Sequence, residues 1–301
     1  MRPDRLVVYT TIYPGAEPYL TDWYDSVHAQ TDQRFDLCIG LDLLTSSDVA
    51  RAIGTVPDAQ WVGPIQGATP ARIRSDAMAL LVEQYPAVVF VDSDDVLLPS
   101  RVAAARRMLE RADVAGCALD MMDAEGRALG IRFKPPVGAD SAALLPRCNV
   151  FGLSNTAYRS ATLRRCLPVP DECVLVDWLL ATRAWSNGAS FAFDATPHMR
   201  YRQYPSNVAP MLQPFDDQQV MTATARVLDH YRCLLDMSWD LPRGQRAALE
   251  GERRRVVGFE AAMRQDARRL TEYVTHLNRL PPVHVWWWQV ANPELEQVWT
   301  S

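Results

Sequence analysis

A short apolar segment that runs directly into three carboxylates constrains this chain more than any other feature. Residues 88–91 are apolar, and Asp92, Asp94 and Asp95 follow at once. Such a run is typical of a strand buried in a parallel sheet, so the acids should lie at its carboxyl end, where open α/β sheets bind ligands. A Mg²⁺ or Mn²⁺ ion that bridges a substrate diphosphate would relieve the repulsion among them. The alternative is a solvated acidic turn that opens a helix at Pro99.

Composition narrows the class of protein. The chain has 301 residues, of which 48% are hydrophobic, enough for a large core in one sizeable domain with an accessory piece. The net charge is −5 and no basic stripe stands out, which argues against nucleic acid as a partner. The six cysteines form no CxxC pair, so they indicate neither a zinc site nor a secreted disulfide framework.

The cysteines and the hydropathy of the chain predict where the protein is located. Unpaired cysteines predict a reducing compartment, and the apolar run after residues 1–5 is too short and too polar for a secretory signal. No segment approaches the length of a transmembrane span. We therefore expect a cytoplasmic protein, with peripheral attachment to the inner face of a membrane as a variant of that location. The aromatic cluster at 283–288 is interpreted as core or subunit contact rather than an interfacial anchor.

Strand and helix patterns alternate over the first hundred residues, as in a parallel sheet built from βαβ units. The predicted strands are 6–11, 35–41, 60–62 and the acid-tipped segment, and the predicted helices are 17–30 and 70–85. Beyond Pro99 the pattern becomes mixed. It predicts a helix to about 111, a hairpin of 114–122 with 128–133, a helix over 173–185 that stops at Asn187-Gly188, and short strands at 190–193 and 198–204.

The last third of the chain is predicted to be helical. One helix should run from Phe215 to about 239 and another from Gln245 to about 280, with a break at 240–244. Both are amphipathic and must bury one face. We therefore divide the chain into a main domain at 1–210 and a C-terminal helical extension at 211–301, and we expect that the extension packs on the main domain or mediates homo-oligomer formation.

Several short motifs follow one another between residues 8 and 207. They are a Thr/Tyr turn after the first strand (8–13), Asp42 after the second, an Arg-containing helix start (70–77), the aspartates (92–95), Val-Asp-Trp (176–178) and a Tyr-Arg segment (201–207). This order resembles that of the inverting family 2 glycosyltransferases. The resemblance implies an α/β fold of the GT-A type, with a Rossmann-like mixed sheet flanked by helices. Val176, Tyr204 and Ser75 depart from the family's usual acid, His and Asn.

The resemblance also implies a chemistry, the metal-dependent transfer of a sugar from a nucleotide-diphosphate sugar to an acceptor hydroxyl with inversion. It implies that Asp94 holds Mn²⁺ or Mg²⁺ and that Asp92 contacts the metal and the donor ribose, with Ser93 beside them in the donor site. Asp177 would be the general base, on a helix that faces the cleft, with its pKa raised by burial beside Trp178. The alternative for Asp177 is an ordinary acid at a helix N-terminus.

Further donor contacts are expected by the same resemblance. Asp42 would meet the nucleobase, Arg74 the diphosphate, and Arg202 would order a loop over the donor, while the hydroxyls of the first strand's end would wall the pocket: Thr10, Thr11 and Tyr13. Each has a plain alternative, since threonines favour strands and arginines often lie on solvated helix faces or loops. His198 is either a third metal ligand or a structural histidine.

Two other functions remain open from the sequence. The spacing of Asp92, Asp94 and Val96 also fits the DxDx[TV] element of haloacid-dehalogenase-like phosphatases, which needs a lysine nearby, and Lys134 is the only lysine in the chain. The departures at Val176 and Tyr204 are compatible with a non-catalytic GT-A-like protein that binds a nucleotide or a sugar and recruits a partner through its C-terminal helices.

Overall fold

The computed structural model describes residues 5–63, 66–204, 207–209, 211–236 and 239–300. Within these ranges nine strands form one mixed sheet. They are β1 (Leu6–Ile12), β2 (Phe35–Leu41), β3 (Gln60–Val62), β4 (Ala87–Phe90), β5 (Val96–Leu97), β6 (Val114–Met122), β7 (Ala128–Phe133), β8 (Thr156–Arg159) and β9 (Phe191–Arg202).

The order of the strands brings the acids to one edge of the sheet. The order is β3-β2-β1-β4-β8-β6-β9-β5, with β7 paired to β6. β1, β2, β3 and β4 are parallel to one another, so their carboxyl ends share an edge. β1 and β4 are buried at every position, as expected for apolar runs in the middle of a parallel sheet. The acids follow β4 at that shared edge.

The described residues also form ten α-helices. They are α1 (Leu20–His28), α2 (Ser46–Ile53), α3 (Pro70–Gln84), α4 (Arg101–Leu109), α5 (Ser160–Cys166), α6 (Val176–Ser186), α7 (Asp217–Leu235), α8 (Arg243–Gln265), α9 (Ala267–Leu277) and α10 (Glu296–Thr300). α3, α5 and α6 pack side by side, and α6 also contacts α7 of the C-terminal part. None of these helices is long and apolar enough to cross a bilayer.

The structure corrects the sequence interpretation in several places. The two short strands predicted at 190–193 and 198–204 are one strand, β9, whose register on β6 shifts twice. The helix predicted to run from Gln245 to about 280 is two helices, because Asp266 adopts an extended backbone and caps α9 with its side chain. The helix predicted from Cys173 begins only at Val176. The division proposed at residue 210 falls on Pro210, which lies outside the described residues.

The C-terminal aromatic cluster belongs to the core. Trp286, Trp287 and Trp288 are all buried, which confirms the core interpretation. Trp287 lies parallel to Trp178 of α6, with their ring centroids 6.4 Å apart, and His230 of α7 stacks on Trp178 at 3.9 Å. The segment after α9 and the helix α7 therefore pack on α6, the helix that carries Asp177.

His230 should make the protein less stable in acid. Burial lowers the pKa of this histidine from 6.5 to about 3, and neither ring nitrogen has a partner in the described part of the chain. The unfolded chain therefore binds one more proton below pH 6.5, and stability falls with pH by about 2 kcal/mol at pH 5. His230→Phe keeps the stack and removes the titration. In urea unfolding at pH 7 and pH 5, the wild type should lose about 2 kcal/mol more than the variant; equal losses would contradict this account.

Candidate active site

The acidic turn after β4 is fastened to the neighbouring strand. The Val91 N–H donates to the carbonyl of Tyr9 (3.1 Å), and the Ser93 hydroxyl donates to the carbonyl of Thr11 (3.0 Å). Ser93 is fully buried. Its hydroxyl ties the turn to β1 and so fixes the position of the acids. The expected place of Ser93 in the donor site stays a prediction.

Asp92 and Asp95 share one partner on the loop before β8. The Ser154 hydroxyl contacts the Asp95 carboxylate and lies 3.1 Å from Oδ2 of Asp92, while the Arg202 N–H donates to Oδ1 of Asp95 (2.7 Å). Burial and the neighbouring Asp94 raise the pKa of Asp92 to about 6 and that of Asp95 well above its usual value. Both carboxyls thus resist ionisation in the free protein, and Asp95 is wholly engaged in holding the turn.

Two tyrosines hold one oxygen of Asp94. Oδ2 of Asp94 accepts from the Tyr204 hydroxyl at 2.5 Å and from the Tyr13 hydroxyl at 3.1 Å, and the two hydroxyls lie 3.1 Å apart. Burial and Asp94 raise the pKa of both tyrosines, so they remain protonated donors. The other oxygen of Asp94, like Oδ1 of Asp92, accepts no hydrogen bond from the described residues.

Asp177 lies on the first turn of α6, as predicted, and is held by Asn149. Nδ2 of Asn149 donates to Oδ2 of Asp177 at 2.9 Å. Burial raises the pKa of Asp177 to about 6, although the Trp178 N–H, the Arg74 charge and Asn149 act in the opposite direction. The negative charge of Asp177 also raises the pKa of Asp92, so the two carboxyls are close enough to influence one another.

Arg74 supplies positive charge near these carboxyls. It lies on α3, is partly exposed, and makes no hydrogen bond or ion pair within the described ranges. Its charge lowers the pKa of Asp42, Asp92 and Asp177 together. Asp42 stands at the end of β2, where its own N–H donates to Ile12 (2.9 Å), and burial raises its pKa. None of these carboxylates forms a hydrogen bond or an ion pair with Arg74 in the described part of the chain. Its guanidinium is therefore available to bind an anion.

Thr10, Thr11 and Arg202 are all buried. The Thr11 hydroxyl lies 3.0 Å from the Tyr9 hydroxyl, and Oγ1 of Thr10 is buried without a partner in the described residues. The fully buried guanidinium of Arg202 donates to the carbonyls of Asp94 (2.8 Å) and Ala124 (2.8 Å) and to Asp22 (3.0 Å), and its expected role in ordering a loop over the donor stays a prediction. The guanidinium therefore supports the acidic turn from the interior of the protein.

His198 is a structural residue. Its Nδ1 bonds the Ser100 hydroxyl (2.7 Å) and its Nε2 bonds Asp194 (3.0 Å), so both ring nitrogens are occupied. Both hydrogen bonds favour the alternative of a structural histidine over a third metal ligand. No group of three or more His, Cys, Asp or Glu side chains in the described residues could hold a metal ion. Asp92 and Asp94 offer only carboxylate oxygens, which fits Mg²⁺ or Mn²⁺ completed by ligand oxygens.

Lys134 does not serve the acids. It lines an open cavity of about 460 Å³ together with Asp120, Arg132 and Arg200, on the part of the sheet formed by β6, β7 and β9. The positive charge felt by Asp92 comes from Arg74 instead. The phosphatase interpretation therefore lacks the lysine it requires.

Sequence reasoning missed Asn149 and Ser154. Both lie in the segment between β7 and β8, which has no helical or strand periodicity, and both are buried. Their partners are 28 and 62 positions away along the chain, so no local pattern indicates them. The only signal is that polar residues, Asn149, Ser154 and Asn155, stand at the two ends of the otherwise apolar segment 149–155.

Comparisons with known proteins place the fold. No family model matches the chain, and no curated protein matches it. Among solved structures it is similar to residues 1–349 of S. aureus TarS in complex with UDP-GlcNAc, with 15% identity, a TM-score of 0.57 and coverage of 88% of this chain and 75% of that one. The same TarS segment with UDP gives a TM-score of 0.52 at 16% identity, again over 88% of this chain and 75% of that one.

A third similar structure is that of a different protein. It is the mannosyltransferase PcManGT from Pyrobaculum calidifontis in complex with GDP-Man and Mn²⁺, with 16% identity, a TM-score of 0.53 and coverage of 83% of this chain and 69% of that one. The strand order, the acids after β4 and these similarities agree with one another. The chain therefore has the GT-A-type fold of these glycosyltransferases.

Proposed function

We propose that this protein is a metal-dependent inverting glycosyltransferase that moves a sugar from a nucleotide-diphosphate sugar to the hydroxyl of a carbohydrate or another acceptor. The observation that carries the proposal is the grouping of charges at the carboxyl ends of the parallel strands: Arg74 has no partner in the described residues, and its charge acts on Asp42, Asp92 and Asp177. The similar structures were solved with UDP-GlcNAc, UDP and GDP-Man, the last with Mn²⁺. That ligand class suits a site with acids and one free arginine.

Different residues of the site would bind different parts of the donor. Asp42 at the end of β2, with Thr10, Thr11 and Tyr13 of the β1 end and its turn, would form the wall against the nucleoside. Arg74 would neutralise the diphosphate by charge-assisted hydrogen bonds. Asp94, with Asp92, would hold the divalent cation through the oxygens that no described residue uses. When bound, such a cation acts as a Lewis acid on the leaving diphosphate.

Asp177 would take the proton from the acceptor hydroxyl. Its pKa of about 6 leaves it largely ionised at neutral pH yet basic enough to accept a proton. The same carboxylate stabilises positive charge as it develops at the anomeric carbon in an oxocarbenium-like transition state. Asn149 donates to Oδ2 of Asp177 and would set the direction in which the carboxylate meets the acceptor.

Arg74→Gln should weaken nucleotide diphosphate binding. One charge-assisted contact to a phosphate is worth about 1.5–3 kcal/mol, so we expect the Kd of UDP or GDP with Mn²⁺ to rise about 10- to 150-fold. The measurement is isothermal titration calorimetry. The matched control is Arg72→Gln, because Arg72 lies on the same helix but is exposed and paired with Asp76 at 2.8 Å.

The result separates the possible functions. Equal affinity of the two variants would place the diphosphate away from Arg74 and contradict the proposed donor site. The wild type is then incubated with UDP- and GDP-sugars and Mn²⁺, and released nucleotide diphosphate is measured with and without acceptor alcohols. If the protein binds a nucleotide tightly but releases nucleotide diphosphate from none of the donors, it is a binding protein. If it releases phosphate from sugar phosphates without any nucleotide, it is a phosphatase.

A further inference from the structure

Asn149 is fixed so that its amide N–H₂ points at Asp177. The Phe151 N–H donates to Oδ1 of Asn149 at 2.9 Å, which identifies that atom as the oxygen because a backbone N–H can only donate. Nδ2 then donates to the Phe151 carbonyl at 3.3 Å and to Oδ2 of Asp177 at 2.9 Å. Asn149 is fully buried. The amide can neither flip nor rotate without losing these bonds.

The backbone of Asn149 is held by the C-terminal aromatic segment. Asn149 and Trp286 form an isolated antiparallel bridge, in which the Asn149 N–H donates to Trp286 (3.2 Å) and the Trp286 N–H donates to Asn149 (3.1 Å). The Trp286 ring packs on Phe133, with centroids 4.1 Å apart, and on Tyr201 at 5.7 Å. This anchor is 137 positions from Asn149 along the chain.

Close packing leaves Trp286 little room to move. A Cβ added at Gly152 would lie 2.5 Å from the Trp286 ring, so the loop between β7 and β8 approaches the indole as closely as glycine permits. The next residue, Trp287, has a φ of 72°, a strained backbone for a tryptophan. Strain of this kind persists only where the surroundings determine the conformation, as the buried rings here do.

We propose that Asn149 is a positioning residue for Asp177 and that Trp286 of the C-terminal segment holds Asn149 in place. The inference rests on the proposed function, in which Asp177 is the general base. It gives the C-terminal part of the chain a role inside the active site, in addition to the packing of its helices. The hydrogen bond stabilises the ionised carboxylate and sets its direction, so both the pH dependence and the rate should depend on it.

Several other groups act on Asp177 and stay unchanged in the test. Arg74 of α3 favours the ionised form of Asp177, and Asp92 and Asp177 interact electrostatically. The buried Tyr158 of β8 and the buried Cys173 before α6 also lie near it. Because none of these is altered in an Asn149 variant, a shift in the titration of Asp177 reports the missing amide.

The test compares Asn149→Ala with Asn155→Ala. Asn155 is a second buried asparagine of the same loop, and it bonds the carbonyls of Cys117 (2.8 Å) and Val150 (3.1 Å) rather than Asp177. For Asn149→Ala we expect the acidic limb of the kcat profile to move up by about one pH unit and kcat at neutral pH to fall about 10-fold. Asn155→Ala should leave the midpoint in place, even if it lowers the Tm.

A second variant and a second readout keep the proposal independent of activity. Gly152→Ala should displace Trp286 and move the midpoint in the same direction, whereas Gly258→Ala, whose Cβ would meet nothing within 4 Å, should not. Carbon-13 NMR of aspartate-labelled protein, with the resonance assigned by Asp177→Asn, reports the pKa of Asp177 directly. An unchanged pKa in Asn149→Ala would overturn the inference. If the pKa of Asp177 shifts but the protein transfers no sugar, the proposed function is contradicted and the positioning of Asp177 by Asn149 is not.

Discussion

Replacing Asp177 with asparagine is expected to lower kcat by about 10²- to 10⁴-fold, the usual contribution of a general base. The change is nearly isosteric, and the carbonyl of the introduced amide can still accept the Asn149 hydrogen bond, so the fold and the site should persist. What is lost is the ability to take the acceptor's proton and to place negative charge beside the reacting carbon. The measurement is steady-state release of nucleotide diphosphate with the best donor and acceptor.

The pH dependence identifies Asp177 more specifically than the loss of rate. Burial raises the pKa of Asp177 to about 6, so wild-type kcat should fall as the pH drops through 6, where the base becomes protonated. The residual activity of the variant should lack that limb. Asp171→Asn, an exposed acid on the loop before α6, serves as the control and should behave as wild type. A loss smaller than about 10-fold with the acidic limb retained would reassign Asp177 to positioning.

Replacing Asp94 with asparagine is expected to abolish the metal dependence of nucleotide binding. The carbonyl of the introduced amide could still accept from Tyr13 and Tyr204, so the turn should keep its shape, but the anionic oxygen left for a cation is gone. In calorimetry, Mn²⁺ should strengthen UDP or GDP binding to the wild type and should leave binding to the variant unchanged. Loss of a charged ligand from a two-carboxylate site should reduce Mn²⁺-supported affinity at least about 100-fold.

Asp95→Asn is the matched control for the metal site. Asp95 is one position away and equally buried, but its oxygens are taken by Ser154 and the Arg202 N–H. An asparagine can satisfy both partners, since its carbonyl accepts from Arg202 and its amide donates to the serine hydroxyl. We therefore expect Asp95→Asn to retain Mn²⁺-dependent binding. Equal losses of Mn²⁺-dependent binding in the two variants would show that the substitutions damage the turn as a whole and do not act through the Asp94 carboxylate.

The parts of the fold that periodicity controls were predictable. β2, β3, β6 and β7 have the predicted bounds, because buried runs and alternation are local properties of the sequence. α2 was missed although Thr45 and Asp48 form a capping box, because only Val49 in it is buried and the apolar pattern is weak. β8 and α5 were missed because β8 is formed by pairing with β4 and β6, which are far away along the chain.

The site was predictable as far as it follows from the strand ends. Asp42 and Asp92 come together because β2 and β4 are parallel neighbours of β1, and α3 brings Arg74 to both. The positions of Asn149 and Ser154 depend on a loop without regular structure, and the interior role of Arg202 depends on the packing of β9 beneath the turn. Tertiary contacts of this kind leave no periodic trace in the sequence.

The most direct test of the central claim is anomalous diffraction at the manganese edge, from crystals grown with Mn²⁺ and UDP or GDP. The account predicts a manganese peak bonded to Asp94, with the diphosphate on its other side and the Arg74 guanidinium in contact with a phosphate oxygen. A bound nucleotide whose diphosphate lies away from Asp94 and Arg74, with no manganese at the acidic turn, would contradict it.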